Sequence, residues 1–392
     1  MNVEVGDIIE LDVTKVANGG MCIARHDGQV VFVRHTIPGE KVRAQVTHIT
    51  TKYLRADTVD VIEASEFRVV PPCDYAGLCG GCDWQHVTLA YQREIKSAIV
   101  REQLAHLAKL DVVNGKPIDE FHIEPMSNSE NGLRWRTRNR FRRIADVGVG
   151  LKMARSHSAV EVSDCLIAEE GSVALAQTAL GVGVGDIQTV VTSEGRSVIV
   201  DPRNGPIIDE KVFDRRWHIH AASFWQVHKY APEVFVGVVR EFAQLRPNET
   251  LLDLYSGAGL FAASLASDVS EDGEVIAVES SIDAVRDARR SCSDLPQLSL
   301  ITADVTKWLR ANHSEKFDVI ILDPPRAGAG EANVSIIAAM ADRAIVYVSC
   351  EPSALARDTA VLIGNGWHLD QLRGFDAFPM TSHVECVALF TR

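Results

Sequence analysis

Apolar and polar residues alternate in short runs over the first 62 residues of the chain. The runs cover residues 8–13, 30–33 and 41–49. Between them stand the turn-forming sequences Asn-Gly-Gly at 18–20, Asp-Gly at 27–28 and Pro-Gly at 38–39. Alternation predicts strands with one buried face, and turns at this spacing predict antiparallel connections. We therefore expect a small β-barrel over residues 1–62.

From residue 249 onward the apolar pattern changes. Continuous apolar runs now alternate with polar and helical sequence, and the predicted strands cover residues 251–255, 274–278, 298–302, 317–322 and 344–348. Buried strands separated by helices predict a parallel sheet covered on both faces, which is a Rossmann-like α/β domain. We assign it to residues 216–392. Residues 63–215, with a helix predicted over 89–110, form a central α+β domain in this division.

The length and composition of the chain agree with several domains. A chain of 392 residues, 46% of them hydrophobic, can bury more than one core. It contains no run of eighteen apolar residues, and its first residues lack a basic segment that leads into an apolar stretch. We therefore expect a cytoplasmic protein that does not enter a membrane. Nothing in the sequence implies a protein partner.

Charge is unevenly distributed along the chain. The net charge is −13, but residues 1–160 contain 21 Lys and Arg against 20 Asp and Glu, so the remaining 232 residues carry −14. Because a polyanion is bound through Lys and Arg, we expect any nucleic-acid contact on the N-terminal side.

An arginine-rich segment lies inside the central domain. Every second residue from Arg134 to Arg142 is arginine, and Trp135 and Phe141 stand between them. A strand here would place five guanidinium groups on one face, which could follow a phosphate backbone. The alternative is a solvated charged strand whose apolar side packs against a core.

A glycine turn follows the first strand of the α/β domain, with the sequence Asp-Leu-Tyr-Ser-Gly-Ala-Gly at 253–259. Such a turn lets the backbone approach a ligand at the carboxyl end of a parallel sheet. A dinucleotide is one candidate ligand, although only the loose form of its motif is present. Glu279 ends the second strand, where a carboxylate can accept both hydroxyls of a ribose. Asp304 ends the third strand, within reach of an adenine edge.

The turn after the fourth strand decides between the candidate ligands. Residues 323–328 read Asp-Pro-Pro-Arg-Ala-Gly. This turn resembles the substrate-facing motif of class I methyltransferases that act on nucleic-acid bases. The resemblance implies S-adenosylmethionine as the methyl donor.

Cys350 stands where a nucleophile would be required. It follows the fifth strand and precedes a predicted helix, whose N-terminus is expected to lower the pKa of the thiol. Carbon 5 of uracil is too weak a nucleophile to take a methyl group from a sulfonium unaided. A thiolate that adds to C6 raises the electron density at C5, and a base must then remove the C5 proton. The alternative for Cys350 is a buried structural cysteine.

Five motifs, in order along the chain, resemble the RNA uridine-5-methyltransferase family. They are SFWQVH at 223–228, LLDLYSGAGLF at 251–261, LDPPRAG at 322–328, VSCEPSALARD at 348–358 and HVECVALF at 383–390. Residues 16–46 in addition resemble a TRAM domain, a small RNA-binding barrel. The likeness spans essentially the whole chain, so RNA is the implied partner. The alternative is a non-catalytic RNA-binding protein with a relic methyltransferase fold.

The resemblance implies a role for particular residues. Cys350 is the implied nucleophile and Glu385 the proton-abstracting base, with His383 supporting the site. The implied contacts to S-adenosylmethionine are Gln226, Tyr255, Glu279, Asp304 and Asp323. The chain departs from the family pattern at His228, Ser256 and Glu351. Of these, Glu351 would place an extra carboxylate beside the thiol, which would raise its pKa unless the side chain points away.

Cysteines crowd into one glycine-bearing segment. Cys73, Cys79 and Cys82 supply three thiolates there, and Cys165 is the natural candidate for a fourth ligand. Four thiolates suit a structural zinc or an iron-sulfur cluster, and spacing alone does not separate the two. Family members with the sequence CGGCxxQH, present here at 79–86, imply a 4Fe-4S cluster. They also lean toward ribosomal rather than transfer RNA as the substrate.

Overall fold

The N-terminal part of the chain is a closed five-stranded barrel. The computed structural model describes residues 3–127, 131–144, 148–154, 156–180, 185–200, 205–270 and 272–392. The barrel strands are β1 Ile8–Val16, β2 Cys22–His26, β3 Gln29–Arg34, β4 Lys41–Ile49 and β5 Tyr53–Glu63. Alternate residues point inward, and aliphatic side chains such as Leu11, Val31 and Ala44 form the core. The predicted barrel is confirmed.

The middle of the chain supplies one long helix and a second, smaller sheet. Helix α1 covers Leu89–Gln103 and continues into a π-helical turn, Leu104–Ala108. The elements that follow are β6 Val112–Val113, β7 Lys116–Pro117, a 3-10 turn Ile118–Glu120, β8 Ile123–Pro125, β9 Arg138–Ile144, β10 Gly148–Lys152, β11 Ala159–Glu161, α2 Ser172–Thr178, β12 Ile187–Val191 and β13 Ser197–Val200. Five of these strands form an antiparallel sheet in the order β11-β10-β9-β12-β13.

The C-terminal part is a Rossmann-like α/β domain, as predicted. Its elements are β14 Ile207–Val212, β15 Arg215–His220, α3 Ala231–Ala243, β16 Thr250–Leu254, α4 Leu260–Leu265, a 3-10 turn Ala266–Val269, β17 Glu274–Glu279, α5 Ile282–Ser291, β18 Leu298–Thr302, α6 Val305–Ala311, β19 Phe317–Leu322, α7 Glu331–Met340, β20 Ala341–Ser349, α8 Pro352–Gly364, β21 His368–Asp376 and β22 Glu385–Thr391. The sheet order is β18-β17-β16-β19-β20-β22-β21-β8. Within the described ranges, no helix has both the length and the apolar character needed to cross a membrane.

The last strand of this sheet comes from the middle of the chain. β8 pairs in parallel with β21 at the sheet edge. Val100 of α1 and Leu104 of the π-helical turn belong to the core that contains Ile320 of β19. The predicted border between residues 215 and 216 falls after the first residue of β15, and the division into domains stays a prediction. A local apolar pattern shows which face of an element is buried, but not which core covers that face.

The arginine-rich segment is used largely for internal ion pairs. Only residues from Arg138 onward form a strand, and Trp135 and Phe141 are buried. The ion pairs are Arg134 with Asp164, Arg138 with Glu210, and Arg140 and Arg142 with Asp186. The prediction of five guanidinium groups on one free face is therefore wrong, because acids distant in sequence neutralise most of them.

Candidate active site

A large cleft opens at the carboxyl ends of the parallel strands. Its volume is about 1420 Å³, and its walls come from the barrel, the middle segment and the α/β domain. The site residues that line it are Gln226, Tyr255, Glu279, Asp323, Cys350, His383 and Glu385. The strand order reverses between β16 and β19, and ligands of open parallel sheets bind at such a point.

The turn after β16 brings the main chain close to the cleft. Tyr255, Gly257 and Gly259 have φ angles of +62°, +55° and +79°. Glycine adopts this left-handed region freely, whereas a tyrosine there stores strain. Strained residues held at a cleft by the surrounding structure are typical of functional sites.

Two carboxylates flank this turn. The Oε2 atom of Glu279 accepts the N–H of Gly257 at 3.1 Å, and its Oε1 atom accepts the N–H of Ser281 at 2.6 Å. Asp253 is fully buried; its Oδ2 atom accepts the N–H of Ala262 at 2.9 Å, while Oδ1 has no partner among the described residues. Burial raises the pKa of Asp253 to about 8. Glu279 lines the cleft, and its carboxylate, fixed by two main-chain donors, fits the ribose of S-adenosylmethionine.

The remaining predicted cofactor contacts divide into two groups. Gln226 and Asp323 line the same cleft as Tyr255 and Glu279. Asp304 is not among the residues that line it. Instead, Asp304 is the N-cap of α6, where its side chain accepts the N–H of Lys307 at 2.9 Å. A contact between Asp304 and the cofactor stays a prediction.

The register of two strands sets the reacting groups side by side. β20 and β22 are antiparallel neighbours in which Ser349 pairs with Cys386. Extending this register by one residue places Cys350 opposite Glu385. Residues opposite each other in such a ladder have their Cα atoms about 5 Å apart. The sheet therefore brings a thiol and a carboxyl group to the same point of the cleft.

The Cys350 thiol lies among acidic groups. Burial, followed by Glu385 and Asp323, raises its pKa to about 12, and Arg326 acts in the opposite direction. The expectation that the helix N-terminus lowers this pKa is wrong, because burial and two carboxyl groups outweigh it. The thiol is protonated at neutral pH until something in the cleft favours the thiolate.

Glu385 is a buried carboxyl group without a fixed donor. It is 6% exposed, and its Oε2 atom has no hydrogen-bond partner within the described part of the chain. Burial, and then Asp323, raises the pKa of Glu385 well above its usual value. Burial raises the pKa of Asp323 itself to about 7. A carboxyl group in this setting is suited to exchange a proton with a bound base.

Arg326 belongs to the site, although the sequence analysis gave it no role. It lowers the pKa of both Cys350 and Glu385. Its Nη2 atom lies 3.4 Å from Nε2 of His383, and burial together with Arg326 lowers the pKa of His383. The available signal was the arginine of the Asp-Pro-Pro-Arg turn, the one cation within that acidic motif.

A buried lysine holds the loop that precedes Glu385. We call residues 377–384 the catalytic loop. Lys96 of α1 is 0% exposed, and its Nζ atom donates to Asp376 Oδ1 at 2.5 Å and to the carbonyl of Phe378 at 3.0 Å. Removing one partner of a buried ion pair costs about 3–5 kcal/mol. Helix α1 thus helps to hold the loop from which Glu385 follows.

The four cysteines predicted as metal ligands come together from two segments. Cys73, Cys79, Cys82 and Cys165 are all free thiols. Burial raises the pKa of the last three, and neighbouring thiols of the group act in the same direction. The donor set suits a thiolate-bound metal. However, among the described residues no three His, Cys, Asp or Glu side chains are arranged to hold a metal ion. The geometry therefore does not support the 4Fe-4S cluster.

Three family models match parts of the chain. Residues 2–59 match the TRAM domain. Residues 306–392 match tRNA (Uracil-5-)-methyltransferase, and residues 223–323 match Protein-L-isoaspartate(D-aspartate) O-methyltransferase. The first model covers the barrel, and the other two cover adjoining parts of the α/β domain.

Similar proteins match over nearly the whole length of the chain. A protein of Streptomyces coelicolor described as an uncharacterized RNA methyltransferase is 37% identical over 98% of this chain and 93% of the relative. Another so described, from Bdellovibrio bacteriovorus, is 33% identical over 98% of this chain and 95% of the relative. Among solved structures, Pyrococcus abyssi tRNA (uracil-54, C5)-methyltransferase in complex with S-adenosyl-L-homocysteine has a TM-score of 0.74. It is 21% identical and covers 97% of this chain and 99% of its own. At that identity the likeness is one of fold.

Proposed function

This chain belongs to the RNA uridine-5-methyltransferase family and is an S-adenosylmethionine-dependent enzyme, and we propose that it methylates uridine through a covalent bond from Cys350. The supporting observation is that Cys350 and Glu385 stand side by side in a cleft whose other wall fits the methyl donor. A thiol and a carboxyl group at one point supply the nucleophile and the base that this chemistry requires.

Cys350 and Glu385 both return to their starting forms at the end of the proposed reaction. The Cys350 thiolate adds to C6 of the uracil, and the electron pair of the C5–C6 double bond becomes available at C5. Carbon 5 forms the new bond to the methyl group, while the bond from that methyl group to the donor's sulfur breaks and its electron pair stays on the sulfur. Glu385 then removes the C5 proton, the double bond forms again, and the thiolate leaves C6. The thiolate is regenerated, and the proton is passed from Glu385 to solvent.

Bound S-adenosylmethionine supplies an electrophilic methyl group. Gln226, Tyr255, Glu279 and Asp323 are the residues proposed to hold it, since all four line one cleft. Glu279 binds the ribose in this assignment, because its carboxylate is already fixed by two main-chain N–H groups.

Both reacting groups act in their deprotonated forms, which burial disfavours. Arg326 is the side chain that works against burial, because it lowers the pKa of both Cys350 and Glu385. We propose that Arg326 keeps the pair ready to ionise once the uracil has entered.

We propose ribosomal RNA of the large subunit (23S) as the substrate, with transfer RNA as the alternative; the support is the sequence CGGCxxQH at 79–86. The test supplies labelled S-adenosylmethionine and, separately, 23S and transfer RNA from cells that lack this protein. We expect labelled 5-methyluridine after digestion of the ribosomal RNA. If label appeared in transfer RNA alone, transfer RNA would replace 23S ribosomal RNA as the proposed substrate. Binding of both RNAs without any transfer would favour the relic fold.

We further propose that the four cysteines hold a 4Fe-4S cluster, with zinc as the alternative. The support is the sequence CGGCxxQH at 79–86, and the thiols of Cys73, Cys79 and Cys165 all act on the pKa of Cys82. Cys350 and Glu385 carry the proposed chemistry, so the proposed role of the metal is to order this region.

Metal analysis of protein purified without oxygen tests this centre. We expect about four iron atoms and four sulfides per chain, lost on Cys79→Ala. The matched control is Cys22→Ala, which removes a buried thiol of the barrel core outside the group. About one zinc per chain would replace the iron-sulfur assignment by a structural zinc. A wild-type protein without either metal would contradict both.

A further inference from the structure

The first turn of the barrel lies on the rim of the active-site cleft. We call residues 17–21, which join β1 to β2, the barrel turn. Gly19, Gly20 and Met21 line the same cleft as Cys350 and Glu385. The turn is closed by two main-chain hydrogen bonds, from Ala17 N–H to the Met21 carbonyl at 2.8 Å and from Gly20 N–H to the Ala17 carbonyl at 3.1 Å. A rigid part of the barrel thus forms one side of the entrance.

One hydrogen bond joins the barrel turn directly to the residue after the nucleophile. The Nδ2 atom of Asn18 donates to Oε1 of Glu351 at 2.7 Å. The same oxygen accepts the hydroxyl of Ser353 at 2.9 Å. Burial, Glu385 and Asp323 have the largest effects in raising the pKa of the Cys350 thiol. The side chain of Glu351 is therefore engaged with the barrel and with the start of α8.

Gly20 lets the barrel turn touch the catalytic loop. A Cβ atom at this position would lie 2.4 Å from Cβ of Ser382, closer than any real contact. The carbonyl of Gly20 accepts the indole N–H of Trp84 at 3.1 Å. Trp84 N–H in turn donates to the carbonyl of Met380 at 3.0 Å, within the catalytic loop. The turn therefore has three separate attachments around the cleft.

Asp83 completes the attachment of the catalytic loop at this point. Its Oδ2 atom accepts both the N–H and the hydroxyl of Ser382 at 3.0 Å. Ser382 is three residues before Glu385 along the chain. Ser382 therefore contacts both the barrel turn and Asp83, and these contacts connect the position of the barrel to that of Glu385.

We infer that Asn18, Gly20 and Glu351 form a clasp that fixes the barrel turn as one wall of the RNA-binding cleft. Glu351 is a positioning residue, which acts on RNA binding through Asn18. This inference rests on the proposed function, because it takes the cleft to be the RNA site. Arg34 and His35 of the same barrel also line the cleft, so a fixed barrel holds a cation beside the path of the RNA backbone.

Reversing the direction of the hydrogen bond tests the clasp. Asn18→Asp sets two carboxylates against each other, so we expect the KM for RNA to rise about tenfold, as for loss of a hydrogen bond to a charged group. Adding Glu351→Gln restores a hydrogen bond, in which the side-chain amide at position 351 donates to the carboxylate at position 18. We expect the double variant Asn18→Asp/Glu351→Gln to recover most of the RNA affinity. The kcat and the dissociation constant of S-adenosylhomocysteine should stay within about twofold in both variants.

Two glycines of the barrel provide a matched pair for the close contact. Gly20 and Gly28 both have φ +84°, but a Cβ atom at Gly28 meets nothing within 4 Å. The two alanine variants therefore carry the same backbone strain. We expect Gly20→Ala to raise the KM for RNA and Gly28→Ala to leave it unchanged. Thermal unfolding of each variant shows whether a change comes from loss of folded protein.

Each outcome has a separate meaning. A wild-type protein that methylates no RNA contradicts the proposed function itself. An active wild type whose KM for RNA is unaffected by Asn18→Asp contradicts the clasp alone. A change in kcat and in the alkylation rate of Cys350 on Glu351→Gln would show that Glu351 acts on the thiol, which also overturns the inference.

Discussion

Cys350→Ala is expected to abolish methyl transfer. The variant lacks the thiolate that adds to C6, so C5 never gains the electron density it needs, and removal of a nucleophile commonly lowers kcat by about 10⁵–10⁶-fold. The measurement is transfer of labelled methyl to RNA. A second readout is the covalent complex with RNA that contains 5-fluorouridine, in which fluorine replaces the proton that the base removes. Wild-type protein should form this complex and the variant should not.

A neighbouring cysteine supplies the control for that experiment. Cys386 is 1% exposed and, unlike its neighbour Glu385, packs in the core on the other side of the sheet. Cys386→Ala should therefore retain methyl transfer and the covalent complex, at a modest cost in stability. If Cys350→Ala kept substantial activity, the covalent mechanism would be wrong, while the family membership would stand.

Glu385→Gln is expected to stop the reaction after the methyl group has been transferred. The amide fills the same volume but cannot take the C5 proton, so the thiolate cannot leave C6. We expect turnover to fall by about 10²–10⁴-fold, with a methylated RNA that stays attached to the protein. Denaturing gel electrophoresis with labelled S-adenosylmethionine would show label at the mass of the complex.

The pH dependence of the wild-type enzyme provides the comparison. Burial raises the pKa of Glu385 and that of Cys350, and both act deprotonated. The fraction in the reactive form, and with it the rate, should therefore rise as the pH rises. In the Glu385→Gln variant, the rate at which the covalent complex releases RNA should not rise with pH through deprotonation of a carboxyl group at this position. Rapid, pH-dependent release from the variant would mean that another group removes the proton.

The fold could largely be predicted, because its signals are local. Glycine turns at regular spacing determine the barrel, and apolar strands at βα spacing determine the parallel sheet. The same holds for the cleft, since residues at the carboxyl ends of parallel strands meet at one edge. Tyr255, Glu279, Asp323 and Cys350 all line the cleft for this reason, while their roles stay predictions.

The errors concern interactions between distant parts of the chain. The arginine run looked free because Asp164, Asp186 and Glu210 lie far from it in sequence. Glu351 looked like a neighbour of the thiol, yet its partner Asn18 is 333 residues away. The pKa of Cys350 was misjudged because helix position is local, whereas burial depends on the whole fold.

The pairing of β8 with β21 has a consequence for the biogenesis of the protein. A residue such as Ile123 leaves the ribosome well before Gly374, with which it pairs. The sheet can be completed only after β21 has been synthesised, because its outer strand β8 waits for a partner that comes much later in the chain. A fragment that began after β8 would expose β21 as an open edge, which other chains could extend into aggregates. The α/β domain therefore depends on α1 and β8 of the middle segment for a covered core and a closed sheet edge.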